Sequence, residues 1–335
     1  MNEANEVLLL ERDNAGVVHP RITFFPVEEL PAGDVVVRVI RSGINYKDAL
    51  AVSGKGVIIR RFPMIPGIDL AGEVVSSDHP AWRIGDRVLS TGRGMGETRH
   101  GAFARFTRLP GEWLTALPEG WDADRAMLLG TAGLTAMLTV MALEAGDVLP
   151  ERGAVLVTGP TGGVGGWAVV LLAQLGYRVC AATGRMSHEG YLRELGASEV
   201  IDRAELTASS KPLDLQRWSG AVDVAGGATL AGMLKHITYG GTVAACGLAD
   251  DATLPASVFP FILRSIRLQG VDSVMIDATT RQTAWNRLAE IIPETLFDRF
   301  RDRTVSLTQT PHACEDLLAG RARGRILVDP HLSAP

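Results

Sequence analysis

The chain has 335 residues, of which 46% are hydrophobic and 21% are charged, a balance typical of a well-packed globular protein. Its net charge of −5, without a dense Lys/Arg block, argues against nucleic acid or an anionic membrane as a partner. Gly, Pro or charged residues interrupt its longest apolar segments and its polar, acidic start is unlike a signal peptide, so we expect no membrane contact and a cytoplasmic location.

The first third of the chain, from Glu6 to about Glu112, is predicted to form many short strands joined by turns. The segments Val35–Ile40, Ala71–Val75 and Arg87–Leu89 are rich in β-branched residues and are separated by Gly- and Pro-containing turns. This pattern is typical of a compact antiparallel or barrel-like β domain and not of βαβ units.

The composition changes near residue 123, where Asp122 or Asp124 is a candidate cap for a long apolar helix. The strand Ala154–Val157 then leads into a glycine-rich turn, Thr158–Gly166, and an apolar helix over Trp167–Leu175. In this setting the glycines indicate dinucleotide binding, because they let the backbone approach a pyrophosphate at the start of a helix. A tight turn that binds nothing would also carry glycines, and the spacing is not a regular G-x-G-x-x-G.

Short apolar strands alternate with helical segments beyond this turn. The predicted strands are Arg178–Ala182, Glu199–Ile201, Ala221–Val224 and Gly241–Cys246. This alternation predicts a doubly wound parallel sheet, and with it an α/β fold.

The last part of the chain returns to mixed character. We predict a strand over Leu268–Val274, a helix over Arg281–Ile292 and a final strand over Gly324–Val328. The predicted domains are therefore a β-rich domain (1–125), a nucleotide-binding domain (126–266) and a C-terminal return to the first domain (267–335).

The end of the second parallel strand predicts which dinucleotide is bound. An acidic residue there would accept the ribose 2′-OH of NAD, but the chain has Thr183, Gly184 and Arg185 instead. A hydroxyl and a guanidinium suit a 2′-phosphate, so NADP(H) is predicted, although an ordinary surface arginine would look the same.

Several stretches together resemble one protein family. They are Gly43–Leu50, Phe62–Gly72, Gly130–Met137, the glycine turn and Phe261–Val274. They are similar to the acrylyl-CoA reductases, which belong to the zinc-free branch of the medium-chain dehydrogenases/reductases, and the match runs almost end to end. The resemblance implies a GroES-like catalytic domain, a Rossmann domain, NADPH as cofactor and a cytoplasmic homodimer that pairs through the edge strand Ser265–Gly270.

The resemblance also implies positions for the cofactor contacts. The pyrophosphate is expected along Thr161, Gly162, Gly163 and Val164. Gly247 and Leu248 follow the fifth parallel strand, where doubly wound folds bind ligands, and Ile262 and Ser273 are expected toward the nicotinamide end.

No metal site is expected. Zinc-dependent relatives place a histidine after the Pro-Gly of the first domain, but this chain has Ile68 there, followed by Asp69. The seven histidines are scattered, and the cysteines Cys180, Cys246 and Cys314 lie too far apart in sequence for C-x-x-C spacing. Buried, unreactive thiols are predicted.

Without a Lewis acid, the chemistry that these residues favour is hydride addition to a polarised double bond. The resemblance places Tyr46 beside the nicotinamide ribose, where its hydroxyl would orient the cofactor or donate a proton, with Asn45 as its neighbour. The adjacent Lys47 and Asp48 have a plainer alternative, since a neighbouring charge pair in a loop is usually solvated.

A coenzyme A substrate carries phosphates, so we expect basic residues along its channel. The candidates are Arg60, Arg61 and Arg323, with Lys55, Arg321 and Arg325 nearby in sequence. Surface solubility would explain these arginines equally well.

The predicted activity is NADPH-dependent reduction of a short 2-enoyl-CoA, most specifically acrylyl-CoA to propanoyl-CoA. The alternatives are a quinone or enone reductase and an NADPH-binding protein without catalytic activity.

Overall fold

The computed structural model describes residues 4–208 and 211–333. The chain divides into two compact units. The first, called here the β-rich unit, comprises Met1–Thr131, Val274–Gln282 and Glu294–Pro335, and the second, the parallel-sheet unit, comprises Ala132–Ser273 and Thr283–Pro293. The functional division at residues 125/126 and 266/267 stays a prediction.

The strands follow one another along the chain as β1 (Glu6–Arg12), β2 (Val18–Phe24), β3 (Val35–Gly43), β4 (Asp69–Ser77), β5 (Arg87–Thr91), β6 (Phe106–Leu109), β7 (Thr115–Ala116), β8 (Ala154–Thr158), β9 (Val179–Thr183), β10 (Glu199–Asp202), β11 (Trp218–Asp223), β12 (Ile237–Ala245), β13 (Arg267–Gly270), β14 (Arg301–Val305) and β15 (Arg325–Val328). The α-helices are α1 (Tyr46–Ser53), α2 (Ala123–Ala145), α3 (Gly163–Gln174), α4 (Glu189–Glu194), α5 (Ala204–Thr207), α6 (Gly227–Leu234), α7 (Phe259–Arg264), α8 (Ala278–Ile291), α9 (Phe297–Phe300) and α10 (Thr310–Leu318).

The β-rich unit is built on a seven-stranded sheet in the order β14-β15-β3-β4-β5-β7, with β6 paired to β3. Only β14 and β15 pair in parallel; the other pairs of this sheet are antiparallel. Val35, Val37 and Val39 alternate along β3 and bury the same face with Leu70 and Val74 of β4. The prediction of a largely antiparallel β region is confirmed. The hairpin of β1 and β2 forms a separate two-stranded sheet.

The parallel-sheet unit contains six strands in the order β10-β9-β8-β11-β12-β13, and every neighbouring pair is parallel. This order, 3-2-1-4-5-6 within the unit, is the doubly wound arrangement that the alternation of strands and helices predicts. Val155, Leu156 and Val157 of β8 are fully buried, as expected for a strand covered on both faces.

Most predicted strands and helices differ from the structure by a few residues at one or both ends, and two of these differences have a clear physical reason. The strand predicted over Leu268–Val274 ends at Gly270, because Gly270 pairs with Ala245, the last residue of β12, and the ladder stops there. The helix predicted from Trp167 begins four residues earlier, at Gly163. Its glycines are poor helix formers, but they start the helix where the chain must turn closely past β8.

One helix of 23 residues among the described residues, α2, is long and apolar enough to cross a membrane, and an 18-residue window of it has a mean hydropathy of 1.8. By length and composition this helix contradicts the expectation that Gly, Pro or charge breaks every apolar segment before it could span a bilayer. However, 83% of that window is buried inside the structure, as in a core helix. The helix is also kinked at Gly130, whose φ and ψ are 50° and −148°.

Candidate functional site

The glycine turn of the parallel-sheet unit lies at the carboxyl end of β8, where the chain enters α3. Gly159 has a φ of +55°, in the left-handed region that favours glycine. A Cβ on Gly165 would lie 2.3 Å from the carbonyl oxygen of Gly159, so a side chain would block the turn. The first N–H groups of a helix lack acceptors within the helix, and α3 begins here at Gly163. The turn is thus shaped to receive a pyrophosphate.

The residues predicted to select the dinucleotide come together in the structure. Nη2 of Arg185 donates to Oγ1 of Thr161 over 3.1 Å, although 24 residues separate them in sequence. The peptide N–H of Arg185 donates to Oγ1 of Thr183, also over 3.1 Å. No carboxylate stands between Thr183 and Arg185, so this group presents hydroxyls and a cation, which suits a 2′-phosphate.

A second arginine lies beside this group and was missed in the sequence. Asp202, at the end of β10, pairs with Thr183, at the end of β9, and Arg203 follows directly. Nη2 of Arg203 lies 3.7 Å from the position that a Cβ on Gly184 would take. The strand order is the signal that would have identified it, because residues that follow neighbouring parallel strands meet at one edge of the sheet.

In the β-rich unit, α1 begins at Tyr46, with Asn45 as the residue before it. Tyr46 is 53% exposed, whereas Asn45 is buried. The backbone N–H of Asn45 donates to Oδ2 of Asp48 over 2.9 Å, which fixes the first turn of α1 as in a capping box. This contact holds the Tyr46 backbone while its ring remains accessible.

A buried polar cluster supports that turn and centres on Asp69, the first residue of β4. Its carboxylate accepts hydrogen bonds from Nδ2 of Asn45 over 2.8 Å and from the N–H and Oγ1 of Thr131 over 2.8 and 2.5 Å. Nη2 of Arg325 lies 3.7 Å from Oδ2 of Asp69, and Nη1 of Arg325 donates to Oδ1 of Asn45 over 3.0 Å. A Cβ on Gly130 would lie 2.4 Å from Oδ2 of Asp69, so only glycine fits before Thr131.

Comparison with known proteins places both units in one family. The profile described as "Alcohol dehydrogenase GroES-like domain" matches residues 31–119, and the profile described as "Zinc-binding dehydrogenase" matches residues 163–290. The chain belongs to the medium-chain dehydrogenase/reductase family. The GroES-like and Rossmann fold prediction is thereby confirmed.

Near-full-length relatives of this dehydrogenase/reductase are known. It is 50% identical over 323 residues, 96% of this chain and 99% of the relative, to the Escherichia coli protein named "Probable acrylyl-CoA reductase AcuI". It is 42% identical over 326 residues, 97% of this chain and 98% of the relative, to the acrylyl-CoA reductase AcuI of Ruegeria pomeroyi. The crystal structure of the yhdH oxidoreductase of Salmonella enterica in complex with NADP superposes with a TM-score of 0.94 at 48% identity, covering 97% of this chain and 99% of that one.

The other residues predicted to contact the cofactor lie on α3, after β12, on α7 and after β13. Val164 lies in the first turn of α3, and Gly247 and Leu248 follow β12. A Cβ on Gly247 would lie 2.4 Å from the carbonyl oxygen of Val224, so this segment passes close to the end of β11. Ile262 is exposed on α7 and Ser273 lies three residues beyond β13. Their contact with the cofactor stays a prediction.

Asp223 is a further polar residue at this edge that the sequence did not single out. It ends β11 and is fully buried. Its carboxylate accepts hydrogen bonds from Oγ1 of Thr158 and from the N–H of Gly226, both over 2.8 Å. Burial raises the pKa of Asp223. This residue joins the ends of β8 and β11 and so fixes the loop that follows β11.

The expectation of a solvated Lys47–Asp48 pair is wrong. Both residues lie on α1: Nζ of Lys47 pairs with Glu97 over 3.0 Å, and Asp48 is buried. Oδ1 of Asp48 also accepts the N–H of Ile68 over 3.0 Å. Asp48 therefore has a structural role at the start of α1.

Burial and the neighbouring Asp69 raise the pKa of Asp48 to about 7 from 3.8. Between these values the folded chain holds a proton that the unfolded chain has lost, so the free energy of unfolding falls as pH rises, by at most about 1.4 kcal/mol per pH unit. We expect wild type to lose stability from about pH 4 to 7 relative to Asp48→Asn, measured by urea unfolding at each pH. Parallel pH profiles for the two proteins would contradict this linkage.

The predicted substrate arginines lie in two loops of the β-rich unit, and their contact with a substrate stays a prediction. Arg60 and Arg61 are exposed after α1, and Arg323 lies in the loop before β15, where its N–H donates to Asp302 over 3.2 Å. Arg325 is not a channel residue, because the Asp69 cluster buries it, and Arg321 pairs with Asp316 over 2.7 Å.

The cysteines are free thiols as predicted, with Cys180 and Cys314 buried and Cys246 partly buried. Burial raises the pKa of Cys180 and of Cys246 to about 12 and raises that of Cys314 as well, which keeps all three protonated.

Proposed function

We propose that the protein reduces the C=C bond of a short 2-enoyl-CoA, specifically acrylyl-CoA to propanoyl-CoA, without zinc. The observation that carries this proposal is the 50% identity, over 96% of the chain, to a protein named as an acrylyl-CoA reductase. The enzyme is an oxidoreductase and its cofactor is NADPH. Thr161, Thr183 and Arg185 are proposed to hold its 2′-phosphate.

When bound, NADPH supplies the hydride that adds to the β-carbon of the thioester. The chain must then provide a proton for the α-carbon and stabilise negative charge on the thioester oxygen. Tyr46 is the candidate donor, because its hydroxyl is accessible while Asn45 and Asp48 hold its backbone in place. The side-chain amide of Asn45 donates to Asp69 and Asp48, so we assign Asn45 the role of positioning Tyr46.

Replacing Tyr46 with Phe should lower kcat about tenfold and leave the Kd for NADPH almost unchanged. The loss is moderate because Tyr46 is half exposed, so water can take over part of the proton delivery. Steady-state kinetics with acrylyl-CoA and a fluorescence titration of NADPH measure the two effects. Tyr239→Phe, a change at another exposed tyrosine, is the control. A pure KM effect would make Tyr46 a residue that only positions the substrate.

Zinc independence is supported by the residues around Asp69. Both of its carboxylate oxygens already accept hydrogen bonds, and the Arg325 guanidinium lies beside them. A divalent cation there would displace these donors and face a buried positive charge. Among the described residues, no group of three or more His, Cys, Asp or Glu side chains is placed to hold a metal ion. These residues therefore do not fit a zinc ion.

A substrate comparison tests the proposed activity. NADPH oxidation is followed with acrylyl-CoA, crotonyl-CoA and a small quinone, and kcat/KM is expected to be highest for acrylyl-CoA. A quinone preferred by orders of magnitude would refute the thioester assignment. Tight NADPH binding without turnover of any of the three would favour a non-catalytic role.

We also propose a homodimer that pairs through β13, with the protein in the cytoplasm. The strand β13 is at the edge of the six-stranded sheet, and Arg267, Gln269 and Gly270 on it are exposed. Exposed apolar residues on the preceding helix, Ile262 and Leu263, lie close to it in sequence. Pairing two such edges would cover unpaired backbone groups that otherwise favour aggregation.

A further inference from the structure

We propose that a cavity at the C-terminal end of α1 binds the phosphorylated adenosine end of the acyl-CoA; this inference rests on the proposed function. The cavity has a volume of about 170 Å³ and lies in the β-rich unit, between the β1–β2 hairpin and the chain that follows α1. Its lining includes Arg12, Gly16, Val18, Ala51, Lys55 and Phe62.

The cavity carries positive charge that its own surroundings do not neutralise. Arg12 and Lys55 line it, and no aspartate or glutamate is among its described lining residues. The two acids that flank Arg12 in sequence are engaged elsewhere. Glu11 pairs with Arg21 over 2.9 Å, and Asp13 contacts His19 over 2.8 Å. Two cations without a carboxylate in the same cavity favour a phosphate group as the ligand.

The cavity also offers an aromatic surface. The Arg12 guanidinium lies over the Phe62 ring, 4.9 Å from its centroid, and Val18 and Ile59 add apolar walls. A flat ring beside a guanidinium is a surface on which a nucleobase stacks. Inorganic phosphate would use only the cations, whereas an adenine nucleotide would use both features. The observations therefore favour a phosphorylated adenosine.

The separation of Tyr46 and Lys55 along α1 matches the length of the pantetheine arm of the substrate. Tyr46 begins the helix and Lys55 lies two residues beyond its end at Ser53, so about 12 Å of helix separates the two positions. The pantetheine arm of CoA has about as many chain atoms as four peptide residues and spans roughly 13–14 Å when extended. A thioester at Tyr46 would thus place its phosphates near Lys55.

A truncated substrate tests the inference directly. S-acrylyl-pantetheine has the same reacting group as acrylyl-CoA but no phosphate and no adenosine. In Arg12→Gln/Lys55→Gln, kcat/KM for acrylyl-CoA should fall about 100-fold, whereas kcat/KM for S-acrylyl-pantetheine should stay at the wild-type value. Equal falls for both substrates would overturn the assignment and leave these residues a structural role. Both side chains are exposed, so the fold should tolerate the change.

Two further measurements separate this inference from the proposed function. Arg83→Gln removes an exposed cation from the turn before β5 and should leave kcat/KM unchanged for both substrates. If wild type reduces neither thioester, the proposed function fails. Calorimetric titration with adenosine 3′,5′-bisphosphate then tests whether the cavity binds a phosphorylated adenosine. Binding to wild type that is lost in the double variant supports the cavity site. No binding to wild type, or equal binding of inorganic phosphate alone, overturns it.

Discussion

Replacing Asp69 with Ala should lower the free energy of unfolding by about 3–5 kcal/mol. The substitution removes the carboxylate that pairs with the buried guanidinium of Arg325, and Nε and Nη2 of Arg325 have no hydrogen-bond partner among the described residues. It also removes the acceptor for Asn45 and for Thr131. Urea unfolding followed by tryptophan fluorescence measures the loss.

A matched control comes from the other end of the same strand. Asp78 lies one residue beyond β4 and is exposed, so Asp78→Ala should change stability by less than about 0.5 kcal/mol. The double variant Asp69→Leu/Arg325→Met replaces both charges and should be more stable than Asp69→Leu alone. Equal losses in the single and double variants would show that Arg325 does not depend on Asp69.

Asp69→Ala should also reduce activity, because it loosens the start of α1. Asp69 anchors Asn45, and Asn45 precedes Tyr46, so loss of the carboxylate loosens the residue proposed to serve the chemistry. The buried cluster thus joins stability to function in the β-rich unit.

The cofactor half of the site could be predicted from sequence because its signals are local. A strand, a glycine turn and a helix follow one another directly between Ala154 and Gln174. The meeting of Thr161 with Arg185 also follows from topology, since the carboxyl ends of adjacent parallel strands share one edge of the sheet. Arg203 was missed because the predicted strand Glu199–Ile201 was not placed beside β9, so the residue that follows it was not considered as a phosphate contact.

The buried polar cluster around Asp69 could not be predicted, because its members are distant from one another in sequence. Asp69 and Arg325 lie on strands that no local pattern joins, and Asp69 was noted only as the residue after Ile68, where zinc-dependent relatives have their histidine. Arg325 also stands in a run with Arg321 and Arg323 that suggests a solvated basic surface. The strand β15 begins at Arg325 and turns that side chain inward, which composition does not reveal.

Replacing Arg185 with Ala should weaken NADPH binding about 100-fold and NADH binding hardly at all. The guanidinium, which donates to the Thr161 hydroxyl, is proposed to contact the 2′-phosphate, a group that NADH lacks. Fluorescence titrations of both cofactors give the two Kd values, and similar losses for both would place the 2′-phosphate elsewhere. Arg203→Ala should cause a smaller loss of about tenfold, because its guanidinium is beside Gly184. Arg178→Ala, at the opposite end of β9, should leave both Kd values unchanged, because cofactor phosphates are expected only at the carboxyl edge of the sheet.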